Sequence, residues 1–106
     1  MSQSFLLRKA LTTDEAPLLI AAGSSYFFRR ITICNQNNST VHVFLAVTAG
    51  RAFAEQGDWV LYHYDITGYG IVTIDNLLVP DGHELRGSAG TASSLSIVGS
   101  GITEAV

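Results

Sequence analysis

Short segments rich in β-branched and aromatic residues recur along this chain about every 8 to 12 residues, separated by clusters of Gly, Asn, Asp, Ser or Pro. Helical periodicity is nearly absent, so the pattern is typical of an all-β protein. The segments predict eight strands at about Ser4–Leu11, Leu18–Ala22, Tyr26–Asn35, Val41–Thr48, Trp59–Asp65, Gly70–Asp75, His83–Gly87 and Ser94–Ile102. Eight short strands within residues 1–106 predict one domain, an antiparallel β-sandwich that is jelly-roll-like.

The strand at 41–48 is apolar on both sides. Successive side chains point to opposite faces, which places Val41, Val43, Leu45 and Val47 together and His42, Phe44 and Ala46 opposite them. We expect one face to pack in the core and the other to meet a neighbouring subunit. The run from Tyr26 to Ile31 is similar, because alternation gives each face one aromatic residue and one arginine.

Three connections carry turn or loop chemistry. The amide-rich segment from Asn35 to Thr40 predicts a reversal that joins the strands on either side of it into a hairpin. Pro80, Asp81 and Gly82 predict a second tight turn. The longest connection, 49–58, is compatible with either a short helical turn over 51–56 or an exposed loop.

The chain carries few charges. Charged residues make up 14% of it, against about 25% in an average soluble domain, and the net charge is −3. The six basic residues are scattered, which argues against nucleic-acid binding. The uncharged run 31–50 would bury unpaired amides in a membrane, so no membrane partner is expected. The start of the chain shows no signal-peptide pattern. Contacts with other subunits are the expected cover for the apolar surface.

The cysteine and the histidines predict little chemistry. Cys34 is the single cysteine, so no internal disulfide can form, and we expect it to be a small buried side chain. His42, His63 and His83 lack the spacing of metal ligands, so neither a metal nor a cofactor is predicted. His63 and Asp65 share a strand face, but the sequence contains no nucleophile elbow. We therefore predict no catalytic residues and a protein that is not an enzyme.

Aromatic residues are the remaining candidates for function. Trp59, Tyr62, Tyr64 and Tyr69 form either an interface anchor or a platform on which a sugar ring stacks, and packing is the favoured interpretation. The residues that we predict to contact a partner are Phe28, Phe44, Phe53, Trp59, Tyr62 and Tyr64.

Five segments together resemble a known group of proteins: "TICNQ" at 32–36, "VHVFLAV" at 41–47, "YDI" at 64–66, "PDGHEL" at 80–85 and "SLSIVGSGIT" at 94–103. The chain is similar, from about Leu18 to Thr103, to the small β-sandwich proteins encoded among the structural genes of tailed bacteriophages. It departs from their pattern at "IAAGSSYFFRR", where a more aliphatic strand is expected.

The resemblance implies a non-enzymatic virion component without catalytic residues. A capsid decoration or cement protein is the first expectation, and a tail or head-tail accessory subunit is the alternative. The partners would be copies of the chain itself, as a homo-oligomer such as a trimer, and the major capsid protein or another virion protein. The protein would reside in the virion after assembly in the host cytoplasm. A carbohydrate-binding virion module that uses Trp59, Tyr62 and Tyr64 is the rival from another class.

Overall fold

All eight strands expected from the sequence are present in the computed structural model, which describes residues 2–49, 54 and 56–105. The strands are β1 (Ser2–Ala10), β2 (Ala16–Ile20), β3 (Ser24–Asn35), β4 (Val41–Thr48), β5 (Trp59–Ile66), β6 (Ile71–Val79), β7 (Glu84–Ala89) and β8 (Leu95–Ala105). The described residues contain no helix, which confirms the all-β class. It follows that the described part of the chain has no helix able to cross a membrane.

The strands form two four-stranded antiparallel sheets that face each other. Sheet A has the order β1-β8-β3-β6, and sheet B has the order β2-β7-β4-β5. The pairing is nested, since the first strand pairs with the eighth, the second with the seventh, the third with the sixth and the fourth with the fifth. This two-layer arrangement of antiparallel strands confirms the β-sandwich.

The core lies between the two sheets and is aliphatic apart from one aromatic ring. Its buried members are Leu7, Leu11, Leu18, Ala21, Phe28, Ile31, Ile33, Val41, Val43, Leu45, Ile66, Val79, Leu85, Ala89, Leu95 and Ile97. The alternation expected for β4 is confirmed, because Val41, Val43 and Leu45 point into this core and His42 and Phe44 lie on the opposite face. The outer face of β4 is therefore free to carry other functions.

The amide-rich segment after β3 does not close a hairpin, so that prediction was wrong. β3 belongs to sheet A and β4 to sheet B, and the chain crosses between the layers so that both strands point apolar residues into one core. Asn35 holds this crossing. Its buried side-chain amide donates to the carbonyls of Ser39 and Ile66, and its Oδ1 accepts from the amide of Asn37.

The alternation expected at 26–31 is broken by a bulge in β3. The register shifts between Phe28 and Arg30, so that Phe28 and Ile31 both enter the core although three positions separate them. Arg29 and Arg30 are consequently both exposed. Arg30 pairs with Asp75 on the outer face of sheet A, with 3.0 Å between Nε and Oδ1. The prediction of one arginine on each face was wrong.

The turn at Pro80 is confirmed, whereas the long connection cannot be compared in full. The amide of His83 donates to the carbonyl of Pro80, and Gly82 takes the positive φ of 85° that such a turn requires. Half of the predicted connection at 49–58, including most of the helical turn over 51–56, lies outside the described residues.

Cys34 does not occupy the core. Because Ile31 and Ile33 point inward, Cys34 points outward from sheet A, where it is half-buried opposite Ile71 and Ser96. The expectation of a buried cysteine was wrong. β8, in contrast, lies between β1 and β3 as a central strand, which agrees with its low charge.

Candidate functional site

Five aromatic rings contact one another on the outer face of sheet B. His42 and Phe44 come from β4, and Trp59, Tyr62 and His63 come from β5. We call this group the aromatic patch. β5 is an edge strand, so the patch lies at the border of the sheet.

Phe44 is the centre of the patch. Its ring lies 5.2 Å from Tyr62, 5.4 Å from His42 and 5.7 Å from both Trp59 and His63, measured between centroids. Three of these contacts are nearly perpendicular, the arrangement that aromatic quadrupoles favour. The rings therefore support one another, and Tyr62 still leaves 67% of its surface exposed.

An irregular backbone in β5 brings the neighbours Tyr62 and His63 to the same ring. In a regular strand they would point to opposite faces. His63 instead has a φ of +50°, and the register between β4 and β5 shifts on both sides of Leu45. A positive φ at a residue other than glycine is an unfavourable conformation that often marks a functional site. His63 lies beside Asp65, as the sequence predicts, and the irregular backbone brings Tyr62 to the same face.

The two histidines of the patch are stacked and lie beside a carboxylate. The rings of His42 and His63 are 4.0 Å apart and nearly parallel, with an angle of 11°. Asp65 faces His42 across the β4–β5 register, and its Oδ1 lies 3.9 Å from Nδ1 of His63. One ligand atom from each of these three side chains falls within 4.8 Å of the others. Imidazole nitrogens and a carboxylate oxygen are the donors that transition metals prefer.

A shallow depression opens beside the patch. It has a volume of about 380 Å³ and is lined by Gln56, Trp59 and Tyr62. The two rings meet edge to face at 5.1 Å. Two aromatic faces next to an amide can hold a flat apolar group, such as one face of a sugar, and orient it by hydrogen bonding.

A buried ionic network lies on the same outer face, on β7. Nε of Arg86 donates to Oε2 of Glu15 at 2.9 Å, and its Nη1 donates to Oε1 of Glu84 at 2.7 Å. Glu15 Oε2 also accepts the amide of Ala54, which ties the long connection to the sheet. Burial opposes the charge of Arg86, but the hydrogen bonds and charges of the two carboxylates outweigh it and raise the pKa of Arg86 above its usual value. Arg86 thus remains charged and links the two glutamates through hydrogen bonds.

The outer face of sheet A is the second exposed apolar surface. Leu6, Ile71, Leu78 and Val98 are each between 44% and 62% exposed, one or more on each of strands β1, β6 and β8. Between them lie short polar residues such as Thr32, Thr73 and Ser100, together with exposed Arg8 and the ion pair of Arg30 with Asp75. We call this surface the aliphatic face.

The structure divides the six residues predicted to contact a partner. Phe44, Trp59 and Tyr62 join in the aromatic patch. Tyr64, which follows His63, is 46% exposed and makes no ring contact with the patch in the described structure. Phe28 has to be corrected: the bulge turns it fully into the core, where it has no surface to offer a partner. Phe53 lies outside the described residues.

The sequence analysis missed the grouping of His42, His63 and Asp65. No local spacing joins His42 to the other two, because they meet through the pairing of β4 with β5. The register next to the 49–58 connection, where Ala46 faces Trp59, would place His42 opposite His63 if continued, and the shifts on both sides of Leu45 bring Asp65 there instead. No pattern in the sequence predicts the positive φ of His63.

A scan against family models finds no match to this chain, and a search of curated proteins finds none either. Solved structures do share its fold. A chain of the VP2 subviral particle of infectious bursal disease virus aligns with a TM-score of 0.51 and 14% identity, over 94% of this chain and 29% of that one. This chain therefore spans less than a third of the VP2 chain.

Two further structures align less closely. The coat protein of tobacco streak virus, solved as a dimer, has a TM-score of 0.45 at 8% identity, over 99% of this chain and 86% of that one. A structure of infectious bursal disease virus, Gx strain, has a TM-score of 0.42 at 11% identity, over 96% of this chain and 29% of that one. These two values are too low to support an argument, and the VP2 match shows the fold alone.

Proposed function

We propose that the protein is a non-enzymatic structural subunit of a virion, and specifically a capsid decoration or cement protein of a tailed bacteriophage. In this proposal it binds the major capsid lattice as a homo-oligomer, for which a trimer is one arrangement. A tail or head-tail accessory subunit would use the same surfaces.

The observation that carries this proposal is that both outer faces of the sandwich expose large apolar side chains. The aliphatic face presents Leu6, Leu78 and Val98, and the aromatic patch presents Tyr62 on the other side of the molecule. Burying such a side chain contributes about 1.5–3 kcal/mol. Only 14% of the residues are charged, so the chain's own charged side chains cannot cover both apolar surfaces, and partner subunits have to cover them.

The two faces suit different partners. The aliphatic face combines exposed aliphatic side chains with hydroxyl groups and one ion pair already made within the chain, which suits a permanent contact between identical subunits. Trp and Tyr are enriched among the residues that dominate contacts between different proteins. We therefore assign the aliphatic face to sister subunits and the aromatic patch to the lattice. Linked copies then bind durably through modest individual contacts, because every contact after the first is intramolecular.

The fold likeness to VP2 supports the proposal to a limited extent. That protein, by its own description, forms a subviral particle, and the two-layer sandwich is common in viral shells. The likeness does not select a decoration protein over another shell component, so the choice depends on the two apolar faces and on the resemblance in sequence.

The experiment is co-sedimentation of the purified protein with shells of the parent phage that lack it. The test variant is Tyr62→Asp, which places a charge in the patch. The matched control is Thr13→Asp, which adds the same charge at an exposed loop residue that belongs to neither the aromatic patch nor the aliphatic face. We expect wild type and the control to co-sediment and Tyr62→Asp to remain in solution with an unchanged far-UV spectrum. Equal binding by all three would exclude the patch as the lattice contact, and no binding by wild type would contradict decoration.

The depression beside Trp59 favours a second candidate, a carbohydrate-binding virion module. Tyr62 and Gln56 complete a surface on which a sugar ring could stack. A glycan array probed with wild type and Trp59→Ala tests this function. Binding to a defined glycan that is lost in the variant would support it, and a silent array together with shell binding would exclude it.

A further inference from the structure

We propose that His42, His63 and Asp65 form a binding site for a divalent transition-metal ion such as Zn²⁺. The site lies within the aromatic patch on the outer face of sheet B, and we infer it from the geometry of its donors without reference to the proposed role in the virion. It takes three ligand side chains from two adjacent strands.

The first argument is the convergence of the donors. His42 and Asp65 are cross-strand partners, and His63 is turned onto the same face by its positive φ. The candidate ligand atoms lie within 4.8 Å of one another. In a tetrahedral zinc site, bonds of about 2.0–2.2 Å place ligand atoms about 3.3 Å apart. The donors therefore have to approach by about 1.5 Å at most.

The second argument is that the side chains can make this movement. The side chains of His63 and Asp65 are 58% and 66% exposed, so rotation about their side-chain bonds meets little obstruction. The imidazoles of His42 and His63 are parallel, and the lone pairs of parallel rings cannot meet at one ion. Metal binding must therefore replace the stack by a splayed pair.

The third argument is that one ligand is already held in place. His42 is half-buried, its ring lies against Gly90 so closely that a side chain there would collide with it, and its carbonyl accepts the amide of Gly90. The ring of Phe44 packs edge-on against both imidazoles. Such neighbours orient metal ligands in known sites. The unfavourable positive φ of His63 then has a function, which is to direct the second imidazole toward the metal ion.

The ligand atoms of the three side chains determine which metal ions the site would bind. Two imidazoles and one carboxylate suit Zn²⁺, Co²⁺, Ni²⁺ or Cu²⁺. Ca²⁺ and Mg²⁺ prefer six or more oxygen ligands, and three donors of this kind do not provide them. The exposed side of the group leaves a fourth position for water.

The test is calorimetric titration of the full chain with ZnCl₂, with Co²⁺ absorption as a second measurement because tetrahedral coordination gives intense visible bands. The variants are His42→Gln, His63→Gln and Asp65→Asn. The matched control is His83→Gln, because Nδ1 of His83 lies 3.3 Å from the carbonyl of Asp81 and outside the group. Thermal unfolding without metal shows whether each variant folds.

We expect one Zn²⁺ per chain and a change in the imidazole NMR signals of His42 and His63 as the stack opens. Affinity should fall at least about tenfold in each of the three variants, the lower end of what loss of even an outer-shell partner costs. His83→Gln should bind as wild type does. The proposal is overturned by an absence of binding at millimolar Zn²⁺, by equal losses in the His83 control, or by unchanged affinity in the three variants.

Discussion

Replacing Arg86 by leucine should destabilise the protein strongly, because the shorter apolar side chain can neither reach nor neutralise the two carboxylates. Arg86 is 8% exposed and neutralises Glu15 and Glu84, which are themselves only 16% and 19% exposed. Leucine would leave both carboxylates without a cation. Loss of one partner from a buried ion pair costs about 3–5 kcal/mol, and the partial exposure of the glutamates favours the lower value. A loss of about 3 kcal/mol corresponds to a decrease in melting temperature of about 12 °C for a domain of this size.

The assay is thermal and urea unfolding at neutral pH, followed by circular dichroism. Arg86→Lys should lose less, because an ammonium can still neutralise one carboxylate, although it cannot donate to both in the same geometry. A triple variant in which Arg86, Glu15 and Glu84 are all apolar should be close to wild type, since well-packed hydrophobic residues often replace a buried ionic group without loss. An Arg86→Leu variant within about 1 kcal/mol of wild type would refute the reasoning, because the unpaired carboxylates would then carry no penalty.

Three further substitutions test the fold, and the loss of stability in each variant is measured from its urea unfolding midpoint. Phe28→Ala should lose about 3–5 kcal/mol, since the ring is fully buried; a loss under 1 kcal/mol would place the ring at the surface. Asn35→Ala should lose about 2 kcal/mol, because the carbonyls of Ser39 and Ile66 lose their donor; an unchanged midpoint would mean that water satisfies them. Gly82→Ala should lose about 1 kcal/mol through its φ of 85°, and a stabilised variant would contradict that backbone conformation.

The number of strands could be predicted from the sequence because each strand carries its own local signal. Alternation of Val41, Val43 and Leu45 with His42 and Phe44 identifies both the strand and its inner face. The pairing carries no such signal. The prediction of a hairpin between β3 and β4 was wrong, because these two strands lie in different sheets. Apart from β4 with β5, the strand pairs join segments that are distant in sequence.

Bulges explain the remaining errors. A single extra residue reverses the side-chain alternation beyond it, so Phe28 was placed at an interface while it fills the core beside Ile31. The same effect brings Tyr62 and His63 together at Phe44. No glycine stands beside either bulge in its own strand; Gly99 and Gly101, which face the first bulge, belong to β8. Such features depend on tertiary packing and cannot be predicted from local propensity.

Sedimentation equilibrium of the purified chain tests the central claim most directly, which is that copies of this chain cover one another's aliphatic face. We expect a mass that is a multiple of 11.4 kDa at micromolar concentration. Leu78→Asp, which charges that face, should shift the mass toward the monomer, and Thr13→Asp should not. A wild-type protein that sediments as an 11.4 kDa monomer up to millimolar concentration would contradict the account.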